Sequence, residues 1–115
     1  MTPEQIELAQ RLAEHPAFKW MPGMSYRLWS DTLQNWRDAQ RLTGTLTPDD
    51  PHTIPVLTDP ATVGCLLALA REVLGNSRLC VAPVLYTWQW TIFPGDHPLA
   101  PTEGEALALA ILGAA

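Results

Sequence analysis

Basic residues are scarce in this chain: seven Lys and Arg stand against twelve Asp and Glu, for a formal net charge of −5. Lys19, Arg11, Arg27, Arg37, Arg41, Arg71 and Arg78 are scattered, and only Arg37 and Arg41 share helical i,i+4 spacing. Neutralising a phosphate backbone or an anionic lipid surface needs clustered cations. Nucleic acid and membrane are therefore not expected partners, and the acidic balance reads as solubility. Long apolar runs are missing too. The longest, residues 63–70 and 106–112, fall far short of the roughly 20 residues a membrane-crossing helix needs. The opening Met1-Thr2-Pro3-Glu4-Gln5 has no basic segment leading into an apolar one, so the expected location is cytoplasmic.

Local catalytic and ligand motifs are equally absent. There are only two cysteines, Cys65 and Cys80, too few for a disulfide framework. They are expected as buried thiols packing like small hydrophobes, with a single bridge between them as the alternative. His15, His52 and His97 lie far apart, without H-x3-H spacing or a C-x2-C pair beside them. No G-x-S-x-G occurs, and Gly23, Gly44 and Gly95 are solitary turn glycines rather than a phosphate-cradling loop. Glu103 and Glu105 open a helix, where the dipole favours carboxylates without any catalytic role. No catalytic residue, metal ligand or cofactor is assigned on these grounds. The balance leans away from an enzyme.

What is present suits a folded domain. Of 115 residues, 47% are hydrophobic and 17% charged, which is enough apolar material for one core spanning residues 1–115. Thr2, Pro3 and Gln5 form a capping box that opens a helix carrying Ile6, Leu8, Ala9, Leu12 and Ala13 on one side; His15-Pro16 ends it. Pro22-Gly23 makes a turn, and residues 26–29 read as a strand. Residues 31–42 lean towards a helix capped by Ser30 or Asp31, with a hairpin through Trp36 as the alternative. Pro48, Pro51 and Pro55 make residues 43–58 a surface loop.

The clearest helix follows, capped by Asp59, with Pro60 in its first turn and Gly75 at its end. Val63, Leu66, Leu67, Ala70, Val73 and Leu74 keep the helical rhythm, so this is the expected central helix, and Gly64 within it suggests a close approach by another element. Residues 79–82 form an apolar strand interrupted by Pro83. Residues 84–93 then alternate, with Tyr86, Trp88, Trp90 and Ile92 on one face. Thr102 and Glu105 open a last helix that runs to Gly113. The expected fold class is α+β: a small antiparallel sheet with three or four helices packed mainly on one face.

Tryptophan is the unusual component. Trp20, Trp29, Trp36, Trp88 and Trp90 outnumber the two Tyr and two Phe together. Trp88 and Trp90 on one strand face suit a core lining, but Trp is also an interface anchor, and any left exposed marks a contact site. Trp20 and Trp36, on the less regular segments, lead the candidate partner-binding residues, and Trp88 and Trp90 complete them.

Residues 18–24 (Phe-Lys-Trp-Met-Pro-Gly-Met), 57–69 (Leu-Thr-Asp-Pro-Ala-Thr-Val-Gly-Cys-Leu-Leu-Ala-Leu) and 102–107 (Thr-Glu-Gly-Glu-Ala-Leu) together resemble small uncharacterised proteins of bacteriophages and prophages. That resemblance implies a genomic context and no chemistry. The functional expectation is a non-enzymatic protein–protein interaction protein, a phage-encoded accessory factor acting on a host or phage protein, with homo-oligomerisation open. The alternatives are a virion or assembly component, and a small enzyme built around Cys65 or Cys80 and a distant histidine.

Overall fold

Three capped segments become the helices α1 (Pro3–Glu14), α2 (Pro60–Val73) and α3 (Glu103–Leu112). Between them run the strands β1 (Ser25–Ser30), β2 (Asn35–Trp36), β3 (Gln40–Arg41), β4 (Thr53–Pro55), β5 (Cys80–Val84) and β6 (Gln89–Phe93). The computed structural model describes residues 1–43, 52–85 and 87–114. The architecture is mixed α+β. Each helix begins where its side chains supply an acceptor for an otherwise orphaned N–H. The Thr2 hydroxyl accepts from the Gln5 amide at 3.2 Å and the Gln5 side chain accepts from the Thr2 amide at 2.9 Å. Asp59 accepts from Thr62 N–H at 3.0 Å, and Thr102 from Glu105 N–H at 3.3 Å.

The strands divide between two antiparallel sheets rather than forming the single sheet expected. In the first, β1 is the centre: Tyr26 pairs with Gln40 of β3 on one edge and with Pro55 of β4 on the other, while Trp29 and Ser30 pair with Trp36 and Asn35 of β2. The second sheet is the β5–β6 hairpin, in register from Cys80 opposite Phe93 to Val84 opposite Gln89.

Residues 31–42 correct the helical expectation, for they fold back as β2 and β3. Gln34 takes a positive φ of 51°, which no α-helix tolerates, and Leu33, which a helix would have buried, is exposed. Trp36 instead meets Trp29 edge-on at 5.4 Å, a cross-strand aromatic pair that stabilises the fold-back. Residues 53–55 are likewise not loop but the buried strand β4; the glycine, acids and first two prolines of that stretch, residues 44–51, lie outside the described residues.

The centre of the molecule is α3, not α2. Residues 104–108, 110 and 111 are all buried, and α3 packs against α1, α2 and both strands of the second hairpin. From Ala106 to Leu112 every side chain is apolar, and a helix apolar on all sides belongs at the centre. Leu12, Met24, Ile54, Leu57, Leu66, Leu69, Leu79 and Ile92 close around Leu107 and Ile111 to complete the core. The close approach expected at Gly64 is absent, since a Cβ there would meet nothing. It occurs at Gly104, where an added Cβ would overlap the Leu57 carbonyl oxygen.

Candidate functional site

The hairpin β5–β6 ends in four residues, 85–88, that contain no glycine, asparagine or proline. Thr87 closes back on Val84 instead, its backbone N–H donating to the Val84 carbonyl at 3.4 Å. Thr87 Oγ1 donates to the Val84 carbonyl at 3.0 Å and accepts from Gln89 N–H at 3.3 Å, which draws the chain round and starts β6 at Gln89. Trp88 closes the turn at a φ of 55° in the left-handed region. The continuous strand expected over 84–93 is thus broken, and Trp88 leaves the face it would have shared with Trp90.

The consequence is an apolar projection. Trp88 is 97% exposed and Leu85 77%. With Pro83, Val84, Gln89 and Trp90 they line an open hollow of about 680 Å³ at the end of the hairpin. Between Arg78 and Glu103 the chain carries one formal charge, Asp96, and no residue lining the hollow is charged. The hollow is built from below by Trp90, whose N–H donates to the Ala100 carbonyl at 2.7 Å and whose carbonyl accepts from Ala100 N–H at 2.9 Å.

That bridge fixes the phase of the ladder. Because the polar backbone groups of Trp90 face Ala100, its cross-strand partner Pro83 occupies a non-hydrogen-bonded position and turns its own backbone to the free side of β5. Proline has no N–H to offer there. Edge prolines discourage strand addition. Pro83, expected to interrupt the strand, instead sits inside it and blunts its edge.

The other tryptophans are spent inside the fold. Trp20 is half-buried between Phe18 and Tyr26, with ring centres at 5.1 and 6.3 Å, and packs against the core. Trp36 is half-buried against Trp29. Trp90 is half-buried at the core boundary. Of Trp20, Trp36, Trp88 and Trp90, the structure brings only Trp88 and Trp90 to one site. Leu85 was not legible as part of it, because the turn that exposes it depends on the side chain of Thr87.

Neither cysteine is buried as expected: Cys65 is half-exposed, Cys80 exposed, and both are free thiols. Cys65 Sγ donates to the Pro22 carbonyl at 3.7 Å. Burial, and then the negative charge of Asp59, push its thiol pKa up, which disfavours the thiolate a nucleophile needs. His15 Nδ1 accepts from Ala17 N–H at 3.1 Å, which gives it a turn-forming role. Among the described residues no group of His, Cys, Asp and Glu is placed to hold a metal ion, and no helix is long and apolar enough to cross a membrane. The chain matches no protein-family model, no curated protein and no solved structure.

Proposed function

We propose that the chain is a non-enzymatic protein–protein interaction protein that engages its partner through the tip of the second hairpin. One observation carries this reading: Trp88 is at once almost fully exposed and held in a left-handed backbone conformation. A bulky L-residue there costs roughly 1–2 kcal/mol, and exposing an indole forgoes about 1.5–3 kcal/mol of burial. Neither feature serves the fold. The exposure is recovered when a partner covers the ring, and buried tryptophans dominate interface energetics. With Pro83 blunting the β5 edge, the partner meets side chains, Trp88 and Leu85 foremost, rather than extending the sheet.

The same reading makes the chain a phage-encoded accessory factor acting on a host or phage protein in the cytoplasm. Its support is the sequence resemblance for the phage context, and two free thiols, which suit a reducing compartment. The test is quantitative affinity capture from the native host, with and without phage infection, using wild-type protein and the Trp88→Ala variant side by side. A protein recovered stoichiometrically with wild type and lost with Trp88→Ala supports the reading. A captured set that Trp88→Ala leaves unchanged overturns it.

A further inference from the structure

Trp90 stands between two open hollows. On one side is the hollow at the hairpin tip; on the other is a recess of about 370 Å³ between the first turns of α2 and α3. Trp90 lines both, so one apolar band runs from Trp88 and Leu85, across Trp90, to Pro60, Val63 and Pro101. The recess has a firm floor. Leu57 is fully buried, and Gly104 approaches it so closely that an added Cβ would overlap the Leu57 carbonyl oxygen. Its rim is open, with Thr58, Pro60 and Pro101 exposed. A projecting indole and a recess thus share one surface.

A surface that carries both a knob and a hole can pair with itself, because an isologous contact requires each patch to complement its own copy. Charge limits where two copies can meet. Each carries a net charge of −5, and like-charged surfaces repel on approach. The band is nearly free of that repulsion, since Glu103 is the one charged residue lining either hollow. The recess also falls within the roughly 300–1,000 Å³ of pockets that enclose small ligands, which admits an indole.

We propose that the recess is occupied by a second copy of this chain. Trp88 of each copy seats between α2 and α3 of the other, about a two-fold axis beside Trp90. This seat rests on the reading of the hairpin tip as a contact site, and it makes a second copy compete with the partner for Trp88. A buried aromatic covers roughly 150–250 Å². Two such rings and the walls they cover bury about 600–1,000 Å² in total, short of the roughly 1,200–2,000 Å² of a stable specific complex. The dimer is accordingly weak and reversible, as displacement by a partner requires.

Sedimentation equilibrium of the full chain from about 10 μM to 1 mM tests the contact. The expected result is a monomer–dimer equilibrium within that range, held or tightened by added salt, which screens the repulsion between copies. Trp88→Ala removes the knob, and Thr58→Arg crowds the recess from its exposed rim without touching the core. Each is expected to weaken self-association by about tenfold or more. Their equimolar mixture restores one of the two contacts, so it associates more strongly than either variant alone. Leu33→Ala, an exposed apolar residue outside the band, leaves association unchanged. A chain that stays monomeric at about 1 mM overturns the proposal. So does a Thr58→Arg protein that pairs like wild type, or a mixture no stronger than its components. Thr58→Arg keeps Trp88 free, so partner capture that depends on Trp88 and survives in this variant upholds the hairpin reading even where the self-contact fails.

Discussion

Arg41 holds Asp59 with both ends of its guanidinium, Nη2 to Oδ1 at 3.1 Å and Nη1 to Oδ2 at 3.3 Å, while Nη1 also donates to the Gly23 carbonyl at 2.6 Å. The pair joins β3 to the start of α2, so the carboxylate that caps a helix is also the anchor of the first sheet. Burial pushes the Asp59 carboxyl pKa up, but the hydrogen bonds from Arg41 and Thr62 and the Arg41 charge outweigh it and leave it below its ordinary value.

A carboxyl lowered in the folded state stabilises above its unfolded value, near 3.9, and that contribution is lost as pH falls through the folded value. Asp59→Asn keeps a capping oxygen and removes the titration. Because Arg41 is half exposed, the ion pair contributes no more than about 1 kcal/mol. Urea unfolding is expected to show wild type more stable than Asp59→Asn at pH 7, with the gap closing as pH falls below about 4 and through the lowered folded value. A gap that persists at low pH would mean that shape rather than charge separates the two.

Behind that pair lies a buried relay. Ser25 N–H donates to Thr62 Oγ1 at 2.8 Å, and the Thr62 hydroxyl donates to Asp59 Oδ2 at 3.0 Å. Thr62 is fully buried. Thr62→Val preserves volume but strands the Ser25 amide, so it is expected to cost about 1–3 kcal/mol in denaturant unfolding. Thr62→Ser, which keeps the hydroxyl, should recover most of that loss. Equal losses in the two variants would assign the role to the methyl group.

Two glycine-to-alanine substitutions are expected to have opposite signs. At Gly104 the new methyl collides with the Leu57 carbonyl in the core, for a loss of about 1–3 kcal/mol or more. At exposed Gly64, in the interior of α2, it meets nothing and replaces a poor helix former, for a gain of up to about 1 kcal/mol. Thermal unfolding of the two variants checks both signs together.

The helices were legible because their ends are encoded locally: Thr2, Asp59 and Thr102 each accept from an N–H three residues on, those of Gln5, Thr62 and Glu105. The burial of α3 is encoded in residues 106–112, which contain no polar side chain, whereas the longer apolar stripe of α2 pointed to α2 as the centre. The small strands were not legible. Asn35–Trp36 and Gln40–Arg41 are too short for a period of two to show, and their pairing depends on β1, through Trp29 and Ser30 for the first and Tyr26 and Ser25 for the second. The candidate site failed for a related reason. Alternation carried through residues 84–93 places Trp88 beside Trp90, and the closure of Thr87 onto the Val84 carbonyl, which composition does not announce, breaks that pattern.

The hairpin reading makes a stability prediction that requires no knowledge of the partner. Trp88 carries a positive φ and makes no buried contact worth keeping at 97% exposure. Trp88→Gly removes the steric penalty of the left-handed region, so it is expected to raise unfolding free energy by up to about 1 kcal/mol while abolishing capture of the partner. Trp88→Ala keeps most of the backbone penalty and is expected to leave stability near that of wild type. Trp29→Ala is the contrast: it dismantles the 5.4 Å pair with Trp36, and is expected to destabilise the fold by at least 1 kcal/mol or so. Chemical denaturation of the three variants separates the cases. A Trp88→Gly protein that unfolds more easily than wild type would show that the indole serves the fold, and the argument that its exposure exists for a partner would lose its footing.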